Sequence, residues 1–410
     1  MSAEVSSVKL NVTVIGGGIG GLCLAQGLRK NGVDVTVYER GPQVDDVRWQ
    51  QGFQIHIGPP GAQALQRCLP PGRWEALLER ACRPSDGVQV FNHRMKRVAL
   101  VGSDVMDGRA HVLRSTLRRT LLEGLEDCVR FEKPFVGFQH MPDGRVEVSF
   151  DDGSRVVTDV LVGADGISSK VRRQRLPSAH VVDTGVVGAS CKLPLDALPP
   201  VLRARLSSVV GPAGRYMIVT QAIHGDAYRT HDHAIWVFTC PRAAYGEADP
   251  RAMSSEDLRA LILSLMKSWD PALRDMVAHP DGHISAVPLL KAAPVDRWTP
   301  GKVTLLGDAI HAMPPFGGQG GTSALRDAAM LCARLVDADA QRVPLVDAIG
   351  AYEAHMLEHG FRAVQRSARF GAMVSSPHGL TRAVTLLLMR AVSLLPRLRR
   401  VLIERRFSQS

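Results

Sequence analysis

The sequence predicts an α/β fold, a parallel sheet flanked by helices with a separate β-sheet block and C-terminal helices, and three observations carry that prediction. Residues 12–40, VTVIGGGIGGLCLAQGLRKNGVDVTVYER, pass from an apolar run through a glycine turn and an amphipathic helix to a second run that ends in an acid. Between about Val181 and Val295 strand-like runs recur, with one helix near Leu258 to Lys267. Strand chemistry then returns at Lys302 to Leu306, as though the chain re-enters its first domain.

The opening unit is the most informative segment. A β-branched run, Val12 to Ile15, enters Gly16-x-Gly18-x-x-Gly21, and a helix follows to about Lys30. Gly16 permits the tight turn, Gly18 lets the backbone approach a pyrophosphate, and Gly21 lets the helix pack close to the strand. The helix N-terminus offers free N–H groups and a positive dipole end to that pyrophosphate. Glu39, followed by Arg40, ends the next strand where a ribose hydroxyl can donate to the acid. These residues point to a dinucleotide, and by themselves they do not separate FAD from NAD(P). An ordinary βαβ turn is the plainer alternative.

Further along, Pro70-Pro71 marks a connection and Leu113 to Leu125 has helical periodicity. Val136 to Gln139 and Val146 to Phe150 flank a turn at Pro142-Asp143-Gly144, a second turn lies at Asp151-Asp152-Gly153, and Val156 to Val162 reads as one more strand. In the middle block Arg215 to Ile223 and Ala234 to Cys240 read as strands. Trp236 and Phe238 alternate onto one face of the latter, and Met217 plays a similar part on the former. Each reads first as buried core and second as a substrate-lining side chain. The expected division is 1–180 and 296–370 for the two parts of the nucleotide-binding domain, 181–295 for the β-sheet domain and 371–410 for C-terminal helices.

Composition narrows the function. At 410 residues and 45% hydrophobic content the chain can bury a sizeable core. The N-terminus lacks an apolar core of signal-peptide length and no run long enough to span a bilayer occurs, so a cytoplasmic location is expected. Seven scattered cysteines have no metal-ligand spacing, which points to small buried hydrophobes with no metal site and no disulfide framework. The formal charge of +10 is concentrated at the end, where residues 379–410 hold seven arginines against Glu404 alone. No nucleic-acid module accompanies this charge, so a nucleic-acid partner is not expected. The leucine-rich, basic stretch Thr381 to Arg406 suits either a helix packed on the protein's own core or weak contact with an anionic membrane. Oligomeric state leaves no mark in the sequence.

Two later segments convert the dinucleotide into a flavin. Asp159 to Arg172 reads DVLVGADGISSKVR, and Gly301 to Leu331 reads GKVTLLGDAIHAMPPFGGQGGTSALRDAAML. With the opening fingerprint these resemble, in the right order, the three signature motifs of the single-component FAD-dependent aromatic hydroxylases, the class A flavoprotein monooxygenases. Trp298 before the last motif and Tyr352-Glu353 after it extend the resemblance. It implies a Rossmann-like FAD-binding domain with a β-sheet substrate domain. It also implies FAD as cofactor and NADH or NADPH as a transient reductant, which fits the lack of a second GxGxxG.

The last motif has physical sense of its own. A buried strand ending in Gly307-Asp308 places a carboxylate beside the first glycine loop, where ribityl hydroxyls can donate to it. Pro314 to Gly321 has little bulk at its end, so Gly318, Gly320 and Gly321 can lie flat against a ring system, and a helix beginning near Thr322 would aim its N–H groups there. Relatives usually carry asparagine at the position of Thr322, a departure that bears on the detailed flavin contacts. The resemblance further places Asp165 near FAD and the nicotinamide, with Ser168 and Arg172 holding the loop or reaching phosphate. Arg114 matches an arginine that contacts FAD in relatives, an exposed helical arginine being the alternative. Arg48 precedes a strand that lines the flavin in relatives and would meet a nicotinamide phosphate or a substrate acid, or be a solvated loop residue. Substrate-pocket candidates are therefore Arg48, Met217, Trp236, Phe238 and Pro315.

The reaction so implied is hydroxylation or epoxidation of a hydrophobic or aromatic small molecule with NAD(P)H and O2, through a flavin C4a-hydroperoxide. Two other readings share the motifs, a flavin halogenase or reductase and a non-catalytic flavin-binding protein. None of Trp49, Trp74, Trp236, Trp269 and Trp298 forms the W-x-W-x-I-P segment expected of halogenases.

Overall fold

A computed structural model describes residues 9–42, 54–82, 87–101, 110–223 and 232–394. Contacts divide the chain into two compact units, Met1–Glu79 with Arg114–Val182 and Ala292–Gln365, and Arg80–Leu113 with Asp183–Lys291 and Arg366–Ser410.

The first unit is built on a five-stranded, wholly parallel sheet in the order Val303–Leu305, Val160–Gly163, Asn11–Ile15, Asp34–Tyr38, Val129–Arg130. Val12 and Val14 on the central strand have no exposed surface, as a strand covered on both faces requires. The helices Ile19–Lys30 and Gly320–Asp339 pack side by side. Gly27 makes that approach possible, since a Cβ there would stand 2.7 Å from the Cys332 sulfur and 3.0 Å from that of Cys68. All seven cysteines are buried and none is in a disulfide. The long helix Leu345–Val374 is pinned to the sheet edge by the Tyr352 hydroxyl, which donates to the Leu305 carbonyl at 2.9 Å. Next to it, the Thr304 hydroxyl donates to the Glu353 carboxylate, also at 2.9 Å.

The single strand expected from Val156 to Val162 is two. Arg155–Thr158 closes an antiparallel three-stranded sheet with Phe135–His140 and Val146–Phe150, and Val160–Gly163 joins the parallel sheet. Asp159 is the crossing point. Its amide donates to the Asn11 carbonyl at 3.1 Å, while its carboxylate accepts from the Asn11 amide at 3.0 Å.

The second unit is a seven-stranded sheet in the order Ser285–Ala292, Val181–Leu193, His233–Pro241, Tyr216–Ala222, Leu206–Val210, Val88–Asn92, Arg97–Val101. Its last two strands come from a segment that the sequence reading left in the nucleotide-binding part; Val88–Asn92 pairs in parallel with Leu206–Val210. One face packs beneath the helices Ser255–Leu265 and Pro271–Ala278 through Leu258, Ile262, Leu273 and Met276. The C-terminal helix Gly379–Leu394 lies against Arg97–Val101 and buries Thr385. Its apolar stripe points away: Leu380, Val384, Leu387 and Leu388 are 79%, 47%, 67% and 53% exposed. Among the described residues no helix is long and apolar enough to cross a membrane.

Candidate cofactor site

The glycine turn is held from beneath and left open above. Gly16 has φ +113°, and its amide donates to the Tyr38 carbonyl at 2.8 Å. A side chain there would run into the Ala164 carbonyl, so the first and second motifs meet at this point. A Cβ on Gly21 would overlap the Gly16 carbonyl and approach Val14 Cγ1 to 3.2 Å, so helix and strand touch backbone to backbone. Gly18 differs from both. A Cβ there would meet nothing within 4 Å, and this residue caps the helix Ile19–Lys30 with no side-chain hydrogen bond. The first N–H groups of that helix have no side-chain cap and no acid in the first turn to neutralise them.

Glu39 is buried, and its two carboxylate oxygens accept from the Gly17 amide at 2.7 Å and the Gly41 amide at 2.8 Å. It locks the turn, and each oxygen keeps a further lone pair for a hydroxyl donor. Arg40 is exposed to solvent. Arg114, the first residue of the helix Arg114–Leu122, is also exposed, and its charge acts on Asp308. One turn later Arg118 is buried and donates through Nε to the Gly17 carbonyl at 2.8 Å. Sequence reasoning missed Arg118, although its i+4 spacing from Arg114 puts both on one helix face.

In the second motif Asp165 caps a helix. Its Oδ2 accepts from the Lys170 amide at 2.7 Å and the Val171 amide at 3.3 Å, while Oδ1 is buried with no hydrogen-bond partner. Ser168 is exposed. Arg172 is buried and holds the loop, donating to the Ala309 carbonyl at 2.8 Å and the Ile167 carbonyl at 3.0 Å. It thereby ties the second motif to the residue that follows Asp308.

The third motif turns at Gly307, with φ +62°, into the short helix Asp308–His311. The Asp308 side chain is exposed, yet protein surrounds it closely enough that desolvation pushes its carboxyl above the ordinary range. It lies by the glycine loop, where a Cβ on Gly320 would stand 4.0 Å from its Oδ1. Gly318 has φ +64° and rests on His56, whose Cδ2 would be 3.2 Å from an added Cβ; a Cβ on Gly321 would press to 2.8 Å on Ile55. Pro315 is exposed, and its carbonyl accepts from the Gly318 amide at 3.1 Å. The helix begins at Gly320, ahead of Thr322, capped by Gln319 with no side-chain bond. Thr322 does not cap it. Its hydroxyl donates to the His56 carbonyl at 3.3 Å and accepts from the Gly58 amide at 3.2 Å, fastening the helix to the strand Gln54–Ile57.

The substrate-pocket candidates fare differently. Arg48 lies outside the described residues. Met217, Trp236 and Phe238 share a face as expected, but they are 0%, 1% and 0% exposed within the core beneath the two helices of the second unit. They are core residues, the first of the two readings, and not pocket-lining ones, because the apolar face of the sheet is the one the helices cover.

An FAD molecule fits what the first unit offers. Two helices present N-termini with no side-chain cap, Gly18 leaves room for a group at one of them, and both Asp165 and Asp308 hold unused acceptor oxygens. Such termini favour the negative charge of a pyrophosphate and of a reduced isoalloxazine.

Comparison with known proteins agrees. An FAD-binding-domain family model matches residues 84–367, more than half of the chain, and an NAD(P)-binding Rossmann-like model matches residues 14–60. The 3-amino-4-hydroxybenzoate 2-monooxygenase of Streptomyces platensis is 31% identical over 391 residues, covering 92% of this chain and 91% of its own length. A Photorhabdus luminescens protein assigned as an FAD-containing monooxygenase superposes with a TM-score of 0.79 at 34% identity, over 90% of this chain and 99% of that one. The dual O-methyltransferase/FAD-dependent monooxygenase of Cercospora beticola is 28% identical over 400 residues, and there the chain spans only 45% of the relative's length. Matched across its glycine turns and along most of its length, this chain belongs to the FAD-dependent monooxygenases.

Proposed function

We propose that this chain inserts one atom of O2 into an electron-rich aromatic or polyene small molecule, with NADH or NADPH as reductant. The observation that carries the reading is the convergence of three distant turns within one unit, with Ala164 against Gly16 and Leu306 against Gly20. Bound FAD supplies the electron and oxygen chemistry. The protein's part is to hold and orient. The N–H groups after Gly18 take the pyrophosphate, with Gly16 and Gly21 shaping the turn beneath it. Glu39 accepts from a ribose, Asp308 accepts from the ribityl chain, and Gly318, Gly320, Gly321 and Thr322 place the second helix end against the ring. Arg114, Arg40 and Asp165 stand as further cofactor contacts.

Substrate is proposed to meet the sheet face opposite the core. Ser190, Val237, Ile218, Ser208 and Val90 are successive partners across five strands of that face. There the Ser208 and Tyr216 hydroxyls lie 2.9 Å apart. This mixture of apolar surface and hydroxyls suits an aromatic ring with one or two polar substituents. The test is a panel of aromatic and polyene compounds incubated with FAD-loaded enzyme, NAD(P)H and isotopically labelled O2. Substrate-stimulated NAD(P)H oxidation with one labelled oxygen in the product supports the reading. A halide-dependent product, or oxidation with no label incorporated, would replace it with the halogenase or reductase alternative.

We also propose that the C-terminal helix touches an anionic membrane. Leu380, Val384, Leu387 and Leu388 follow the i, i+4, i+7, i+8 spacing of one stripe and are exposed, and the chain from residue 379 onward carries seven arginines. Like charge on the same stretch of chain opposes self-association and favours a negatively charged surface. Co-sedimentation with vesicles containing phosphatidylglycerol, absent with phosphatidylcholine alone and lost in Leu387→Glu/Leu388→Glu, is the expected result. Equal recovery in the supernatant for every sample would remove the proposal.

A further inference from the structure

Behind the Gly307–Asp308 turn lies a buried polar cluster whose hydrogen atoms can be counted. Asp327, on the helix Gly320–Asp339, has no exposed surface. Its Oδ2 accepts from the Gly307 amide at 2.8 Å and from His311 Nε2 at 2.6 Å, and its Oδ1 accepts from His359 Nε2 at 2.8 Å. His359 also reaches backward along its own helix, with Nδ1 2.8 Å from the His355 carbonyl. A carbonyl and a carboxylate can only accept, so both nitrogens of His359 must carry hydrogen and the ring is an imidazolium. His311 donates to the same carboxylate through Nε2, and its Nδ1 is buried without a hydrogen-bond partner. Asp327 and His359 thus supply one carboxylate and one imidazolium, opposite charges that full burial requires to be paired.

We propose that Asp327 and His359 form a buried ion pair, with His311 as a second ring donor to the same carboxylate, that positions Asp308 for the cofactor. The argument from geometry is direct. Asp327 grips the amide of the residue before Asp308 and the ring at the far end of the same short helix, so the turn bearing Asp308 is fixed at both ends by one carboxylate. The helix that supplies His359 comes close only because Gly360 has no side chain, since a Cβ there would overlap the His311 ring. Facing charges agree in sign. Burial alone would raise the Asp327 carboxyl, but the facing His311 and His359 rings outweigh it and hold the carboxyl well below the ordinary range. The other titratable groups facing the cluster are Asp308, which acts on His311, and Arg326 and Tyr352, on which the Asp327 charge acts. A metal bridging the three side chains is the rival occupant of the same atoms. The N···O separations and the backbone donor on Asp327 are those of hydrogen bonds, which leaves no acceptor facing an acceptor once His359 is doubly protonated.

The positioning role rests on the FAD reading given above, whereas the protonation state does not, and two measurements keep them apart. Nitrogen-15 NMR of the histidine rings in the cofactor-free protein at neutral pH should find His359 protonated on both nitrogens. A neutral His359, or a stoichiometric metal ion found by elemental analysis, overturns the ion pair. FAD titration of His359→Gln should then give a Kd about ten- to a hundredfold above that of the parent, with its pH dependence flattened, because the charged partner of Asp327 is gone. His359→Lys, which restores a positive donor, should recover part of that loss. A His359→Gln protein that melts earlier yet binds FAD with the parental Kd and pH profile overturns the positioning role. Failure of the parent to bind FAD at all would remove that role together with the cofactor reading, with the NMR result unaffected.

Discussion

Gly18→Ala separates a turn that needs glycine for its own packing from one that needs it for a ligand. In the protein alone the substitution is nearly silent. Gly18 sits at φ −78° and ψ 178°, extended backbone open to any residue, and the added Cβ meets no atom within 4 Å. Alanine is a poorer helix cap than glycine by a few tenths of a kcal/mol to about 1 kcal/mol. It also removes about 0.4–1 kcal/mol of unfolded-chain entropy. The two offset, so the melting temperature of the cofactor-free protein should move by no more than about 3 °C. Binding responds differently if the pyrophosphate rests on this backbone. A methyl group in the open space lifts the phosphates off the helix N-terminus, and losing two charge-assisted hydrogen bonds at about 1.5–3 kcal/mol each weakens FAD binding by at least about a hundredfold. Flavin fluorescence titration of the cofactor-free protein measures the Kd, and a thermal melt of the same sample reports folding. A folded Gly18→Ala protein that binds FAD within about threefold of the parent would refute the placement, because a group this close to the backbone cannot ignore a new methyl.

Asp308→Ala should abolish retention of FAD through purification while leaving the cofactor-free fold intact or slightly more stable near neutral pH, since the carboxyl it removes is held above its ordinary range by desolvation; absorbance in the flavin region and a urea titration report the two effects. Trp236→Phe and Met217→Leu should cost about 1 kcal/mol or less in stability and leave the KM of any accepted substrate unchanged, which a denaturant series and steady-state kinetics check. Burial raises the Glu353 carboxyl from 4.5 to about 7, so its contribution to stability is full at acid pH and is lost as pH rises through about 7. Glu353→Gln keeps an acceptor for Thr304 and removes that loss, so relative to the parent it should gain up to about 3 kcal/mol near pH 8 and little near pH 4, read from urea unfolding at the two pH values.

The parts of the site that sequence made legible are those with a local physical cause. Gly16 and Gly21 leave no room for a side chain, one against Ala164 and the other against the Gly16 carbonyl, whereas Gly18 between them borders open space, so one short turn holds all three positions. Asp308 could be anticipated because a strand, a glycine and an acid in series put the acid at the sheet's carboxyl edge. What escaped notice depends on distant chain segments. The division of one expected strand at Asp159 follows from that residue's two hydrogen bonds to Asn11, 148 positions away. Arg118 is an unremarkable helical arginine until the Gly17 carbonyl is placed beside it. His311, Asp327 and His359 are spaced 16 and 32 positions apart on three helices, so no periodicity links them.

The expectations for the middle sheet and for the last helix met the same ambiguity and resolved it in opposite directions. Periodicity establishes which residues share a face, but what covers that face is a long-range outcome. Trp236, Phe238 and Met217 were grouped correctly, and their apolar face is the one that helices of the same unit seal. On Gly379–Leu394 the residues Val384, Leu387 and Leu388 likewise share one face, yet the helix packs through Thr385 and turns that stripe outward. The difference is one of supply. The sheet has two amphipathic helices beside it whose own apolar faces need cover, whereas the last helix lies against the edge strand Arg97–Val101 and leaves its leucines exposed among the described residues. Vesicle binding by the intact chain tests whether that stripe meets an external partner.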